Sequence, residues 1–152
     1  MTVKVVTDSI CDLPPGLAQE LDLTTVPVYV IFGEKAYRDR VDLSEDEFYD
    51  KLVYGSVYPT TSVPSPQDFA DAYNKLVEET DEIISIHASS RLSGILNSAL
   101  SGTQLVSKKC HIEVVDSKTL SIGLGLTVLA AAREARAGRK LEQVTQARRQ
   151  AI

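Results

Sequence analysis

The stretch EIISIHASSRLSGILNSA, residues 82–99, decides the fold. Residues 82–87 form a short apolar run, with polar residues on either side, and read as a strand buried on both faces. Leu92, Leu96, Ala99, Leu100, Thr103 and Val106 then recur at helical spacing, so a helix begins at about Ser93. A buried strand passing directly into an amphipathic helix is half of a parallel-sheet unit. The junction carries Ser89, Ser90, Ser93 and Gly94, which is more hydroxyl groups than one helix cap requires.

The same alternation extends in both directions. Val3 to Val6 is a β-branched run that stops at Thr7-Asp8-Ser9, and Thr25 to Phe32 is a second strand. Pro27 lies inside that second run and places it near a sheet edge, because proline cannot donate to a ladder. Gly33-Glu34 turns the chain toward Tyr37 and suggests a small hairpin arm. Ser44 opens a helix with Glu47 at the reciprocal capping position and Leu43 placed to staple onto Phe48. Ser65, Pro66 and Asp68 open another, with Phe69, Ala72, Tyr73, Leu76 and Val77 as its apolar stripe. His111 begins the strand HIEVVDS, followed by a helix from about Lys118 to Ala137 that ends at Gly138. Residues 140–152 begin one more helix. These elements predict an α/β fold, a mainly parallel sheet with helices on both faces. With no repeat or internal linker, residues 1–152 count as one domain.

Charge and composition exclude several functions. The formal net charge of -5 argues against a nucleic-acid surface, which needs clustered Lys and Arg; a local basic patch near Arg148 is the exception left open. The first residues show no signal-peptide pattern. The longest apolar stretch, Leu120 to Ala132, is interrupted by Ser121, Gly123, Gly125 and Thr127 and is too short and polar to insert in a membrane. The chain therefore reads as cytoplasmic. Cys11 and Cys110 lack CxxC spacing and read as free thiols. His87 and His111 are isolated and read as structural, so neither a metal nor a cofactor is expected.

In a parallel sheet the ligand crevice lies at the carboxyl ends of the strands. Thr7-Asp8-Ser9, Ser89 to Gly94 and Asp116-Ser117 fall there, and Pro59-Thr60-Thr61-Ser62 precedes the helix opened by Ser65. Capping alone accounts for Asp8, Ser65 or Ser117 taken singly. It does not account for the surplus around Ser93, where Gly94 also lets a ligand approach the backbone closely. A helix N-terminus ringed by hydroxyls suits a phosphate or a carboxylate. Catalytic signals are absent: there is no HExxH, Walker loop or GxGxxG, and the histidines fall inside or at the start of strand patterns. Gly123 and Gly125 lie in an apolar helical segment, where close packing is the simpler reading. Glu45, Asp46 and Glu47 most simply serve a helix N-terminus.

VVTDSICDLP at 5–14, YPTTSVPSPQDF at 58–69, SSRLSGILNSA at 89–99 and VVDSKTLSIGLG at 114–125 resemble, in order, the successive signatures of the DegV family of bacterial fatty-acid-binding proteins. Its domains fall in a wider group with dihydroxyacetone-kinase-like folds. The resemblance runs through nearly the whole chain. It implies a long-chain fatty acid as ligand, with the carboxylate held by hydroxyls: Thr61 of the PTTS signature and Ser93 of LSG, with Ser62, Gly94 and Ser9 lining the same site. It further implies a presenting protein rather than an enzyme, handing the acid to a separate fatty acid kinase subunit. The third signature departs from the family where Ile95 and Leu96 replace the usual threonine and aromatic. Family members resemble longer, two-domain proteins, so the chain is expected to correspond to the N-terminal domain and to lack the second. Two rival readings remain. A phosphate- or sugar-phosphate-binding domain of a dihydroxyacetone-kinase-like enzyme would bring cations to the rim, where only Arg91 is evident. A protein-interaction domain would use the terminal helix with Arg148 and Arg149.

Overall fold

The computed structural model describes residues 2–150, apart from the side chains of Pro15 and of residues 148–150; the basic groups of Arg148 and Arg149 therefore lie outside the described residues. A four-stranded parallel sheet forms the centre, built from β1 (Lys4–Asp8), β2 (Leu23–Val26), β6 (Glu82–His87) and β7 (His111–Asp116) in the order β2-β1-β6-β7. Alternate residues of these strands feed two cores, as the two-residue strand period requires. Val5, Ile84, Ile86 and Val115 face α5 (Ser121–Arg136) and α6 (Leu141–Gln150). Val6 and Ile83 face α3 (Pro66–Leu76) and α4 (Ile95–Thr103), where Phe69, Tyr73, Ile95 and Ala99 are buried. Helices on both faces match the expectation, and residues 82–87 form a strand buried on both sides, as read.

The second β run is divided in a way the sequence reading missed. Its parts are β2, at the edge of the parallel sheet, and β3 (Tyr29–Phe32), which belongs to a separate antiparallel sheet. Pro27-Val28 is the break. Pro27 has no N–H to continue a ladder, and the N–H of Val28 donates instead to Ser9 Oγ at 3.1 Å. β3 pairs with β4 (Lys35–Arg38) through a tight turn at Gly33, whose φ of 62° favours glycine, and with β5 (Thr60–Ser62) on its other side. The hairpin arm was therefore legible, but its third strand was not. α2 (Glu45–Tyr54) packs on the arm through edge-on contacts among Phe32, Tyr37 and Phe48, with Phe32 to Phe48 centroids 6.1 Å apart. A short helix, α1 (Pro15–Glu20), was also unforeseen.

The capping expectations hold at Ser44 with Glu47 and at Ser65 with Asp68, where both form reciprocal capping boxes. Gly125 proves to be a packing glycine, as expected: a Cβ there would stand 2.5 Å from the carbonyl oxygen of Cys11, so α5 lies directly on the turn after β1. Cys11 is buried and Cys110 half-buried, both free. Among the described residues no helix is long and apolar enough to cross a membrane, and no group of His, Cys, Asp or Glu is arranged to hold a metal.

Candidate functional site

Strand order reverses its sense between β1 and β6, since β1 leads to β2 on one side and β6 leads to β7 on the other. Ligands of open α/β sheets bind at the carboxyl end of such a switch point. Asp8 and His87 end these two strands and are fully buried. This corrects the reading of His87 as away from a carboxyl strand end, since it is the last residue of β6, whereas His111 starts β7 as expected. Its ring has no exposure, and its Nδ1 lies 2.9 Å from Asp8 Oδ2 while its Nε2 lies 2.7 Å from Ser85 Oγ.

The turn after β1 carries Ser9, which is buried, its hydroxyl oxygen accepting from the N–H of Val28. The turn after β6 is closed on Ser89. Its carbonyl accepts from Leu92 and Ser93, both at 3.0 Å, and its own N–H donates to the carbonyl of Thr119 at 2.9 Å in the turn after β7. Ser90 projects from this turn and donates to Asp116 Oδ2 at 2.6 Å. Ser93 lies one residue before the cap of α4 rather than at the start of the helix. Gly94 is the residue at the start of α4, and Ser93, one step earlier, accepts from the N–H of Ile95 at 3.3 Å. Ser93 thus satisfies a free helix N–H with its oxygen, while its hydroxyl hydrogen is free to donate elsewhere. Gly94 is exposed, with open space where a Cβ would stand.

Thr61 is exposed at the centre of β5, opposite Val30 of β3. Ser62, its neighbour, is exposed on the alternate face and bonds weakly to the carbonyl of Val63 at 3.4 Å. Thr61 and Ser9 line one groove of about 340 Å3, between the antiparallel arm and the turn after β1. Ile10, Val28, Val30 and Phe48 give it an apolar wall, and Arg40 stands at its lip, paired with Asp12 and Glu45 at 3.0 Å each. The guanidinium is therefore already neutralised. Ser93, Gly94 and Ser62 are not among the residues lining that groove; Ser93 and Gly94 sit in the turn after β6, next to exposed Leu92, while Leu120, Ile122 and Leu126 are exposed before and along α5. The carboxyl end of the sheet thus combines hydroxyls, helix N-termini and apolar side chains, with Arg91 exposed in the turn after β6. Sequence reasoning missed the groove wall from the arm, because β5 is only three residues long and exposed throughout.

Burial acts to raise the Asp116 carboxyl, but the Ser90 hydroxyl and the N–H groups of Lys118 and Ser90 outweigh it and hold it below its usual range. A depressed carboxyl contributes stability that is fully present above its unfolded value of about 3.9 and is lost as pH falls through the folded one. Ser90→Ala should move the Asp116 midpoint upward in an NMR titration, and an unmoved midpoint would show that the pair does not hold the turns after β6 and β7 together.

The family model described as an uncharacterised protein of the DegV family matches residues 2–152. A DegV domain-containing protein of Deinococcus radiodurans is 41% identical over 96% of this chain and 51% of its own length. The chain spans about half the length of the curated relatives it matches. A DegV family protein from Thermus thermophilus, described by its fatty acid binding, superposes with a TM-score of 0.87 at 37% identity, over 99% of this chain and 53% of that one. A stearic acid-binding protein from Eubacterium ventriosum superposes equally well, at 0.87 and 34% identity, over 95% of this chain and 51% of its own. The family match over nearly the whole chain agrees with the parallel sheet and its flanking helices: the chain belongs to the DegV family.

Proposed function

We propose that the chain binds a long-chain fatty acid, with the hydroxyls of Thr61 and Ser93 donating to the carboxylate and Ser62, Gly94 and Ser9 completing the surroundings. The observation that carries this reading is the position of Thr61, exposed in a groove with one apolar wall, whose volume falls within the roughly 300–1,000 Å3 of small-molecule sites. Fatty acids named with the solved relatives give the same ligand class. Each buried methylene contributes about 0.8 kcal/mol gross, so the tail supplies most of the affinity. The hydroxyls fix where the head lies.

The role is that of a lipid-presenting protein rather than an enzyme. Neutral donors orient a carboxylate without the salt bridge that would cover its oxygens, which suits transfer of a phosphoryl group to the acid by a separate kinase subunit. Arg40, the cation at the groove, is committed to Asp12 and Glu45, which also disfavours the phosphate-binding alternative. The extra length of the relatives would supply a second domain facing Leu92, Ile122 and Leu126, apolar side chains exposed in the turn after β6 and on α5. Native mass spectrometry of the chain purified from cells should show an adduct of fatty-acid mass that is lost on delipidation and regained with palmitate. Failure to regain palmitate would contradict the proposal.

A further inference from the structure

We infer that Asp8, held by His87, is the positioning residue that registers the two ligand hydroxyls to one another; this rests on the proposal that Thr61 and Ser93 share a carboxylate. Asp8 lies at the switch point with no exposure. Its Oδ1 accepts from the N–H of Ile10 at 3.1 Å, in the turn after β1. Its Oδ2 accepts from the N–H of Ala88 at 3.2 Å, in the turn after β6. One side chain therefore ties together the two backbone segments that lead to the site. From the first, Ser9 reaches Val28, and β3 carries the register on through Val30 to Thr61. From the second, Ser89 follows Ala88 and closes the turn that ends at Ser93.

His87 completes this arrangement through a hydrogen-bond chain with one consistent direction. Both Asp8 oxygens already accept from backbone N–H groups, so the direction consistent with them has Nδ1 of His87 carrying the proton and donating to Oδ2. In a neutral ring Nε2 is then an acceptor, so the Ser85 hydroxyl donates to it. Tyr73, whose hydroxyl lies 2.8 Å from Ser85 Oγ, donates last. Burial pushes the Tyr73 phenol up to about 12, which keeps that donor protonated. Phe69 packs edge-on against the imidazole, with centroids 5.0 Å apart. Every polar atom of the chain is satisfied in this direction. Reversing it would orphan a buried hydroxyl.

The arrangement predicts that nitrogen-15 spectra of the unaltered protein near neutral pH show His87 as the neutral Nδ1–H tautomer. Asp8→Asn places an NH2 group where a carboxylate oxygen now accepts, so either Ile10 or the Ala88–His87 side loses its acceptor. Amide exchange at Ile10 or Ala88 should then rise, and palmitate affinity should fall, each by about tenfold. Ser85→Ala cuts the same buried chain beyond His87 without touching either backbone link. It should lower Tm yet leave both exchange and palmitate affinity within about twofold, a difference a merely structural role would not produce. The inference is overturned by an Nε2–H tautomer, by unchanged exchange in Asp8→Asn, by unaltered palmitate binding in Asp8→Asn, or by Ser85→Ala weakening palmitate as much as Asp8→Asn does. A chain that binds no palmitate at all refutes the proposed function alone, since tautomer and exchange still decide whether Asp8 holds the two turns.

Discussion

Converting both Thr61 and Ser93 to alanine should weaken palmitate binding by about 3–6 kcal/mol, because each hydrogen bond to a charged group contributes about 1.5–3 kcal/mol. That is the largest functional effect expected of any pair of substitutions in the chain. Thr61 is exposed on a short edge strand, and Ser93 caps with its oxygen a single N–H of α4, so the fold should tolerate the change. Two controls separate head from tail. Palmitate methyl ester, which lacks the charge but keeps a carbonyl acceptor, should lose less affinity than palmitate between the unaltered protein and the double variant. A shorter acid should lose affinity by a similar increment per methylene in both proteins, because the apolar wall of Ile10, Val28, Val30 and Phe48 is unchanged. Calorimetric titration reads each arm, and equal palmitate affinity in the two proteins would remove the hydroxyls from the site.

Phe69→Ala should produce the largest loss of stability, about 3–5 kcal/mol, or a fall in Tm on the order of 10 °C. Phe69 is fully buried on α3, with its ring 6.1 Å from that of Tyr73 and 5.0 Å from His87. Truncation opens a cavity beside the buried polar chain, where water could enter and compete for His87 and Ser85. Chemical denaturation measures the loss. A change below 1 kcal/mol would mean that the α3 face collapses to fill the space and that the ring does not shield the chain.

The parts of this fold legible in the sequence are those whose signal is local. Ile83, Ile84 and Ile86 occupy both faces of the strand 82–87 because both sheet faces are covered, and the capping boxes at Ser44 and Ser65 require only their own tetrapeptides. The split of Thr25–Phe32 was not legible, because its cause is a long-range bond from Val28 to Ser9 that takes the chain out of one sheet and into another. β5 escaped for a related reason: its three exposed residues carry no alternation, and only pairing with β3 makes them a strand. At the candidate site, the surplus of hydroxyls around Ser93 marked the turn after β6, at the carboxyl end of the sheet. The same residue types concealed a division of labour. Ser9 and Ser89 are buried and hold turns, whereas Thr61 and Gly94 face solvent. His87 was assigned a structural part correctly but placed wrongly, since the end of a strand buried on both faces carries no mark in the sequence that it abuts Asp8 of another strand.

The central claim is that one carboxylate is shared by two hydroxyls on different turns of the switch-point rim. A crystal structure with bound palmitate tests it most directly. The account predicts carboxylate oxygens within about 3 Å of both Thr61 Oγ1 and Ser93 Oγ, with the tail against Val28 and Val30. A head group bound elsewhere, with both hydroxyls free of it, would contradict the account.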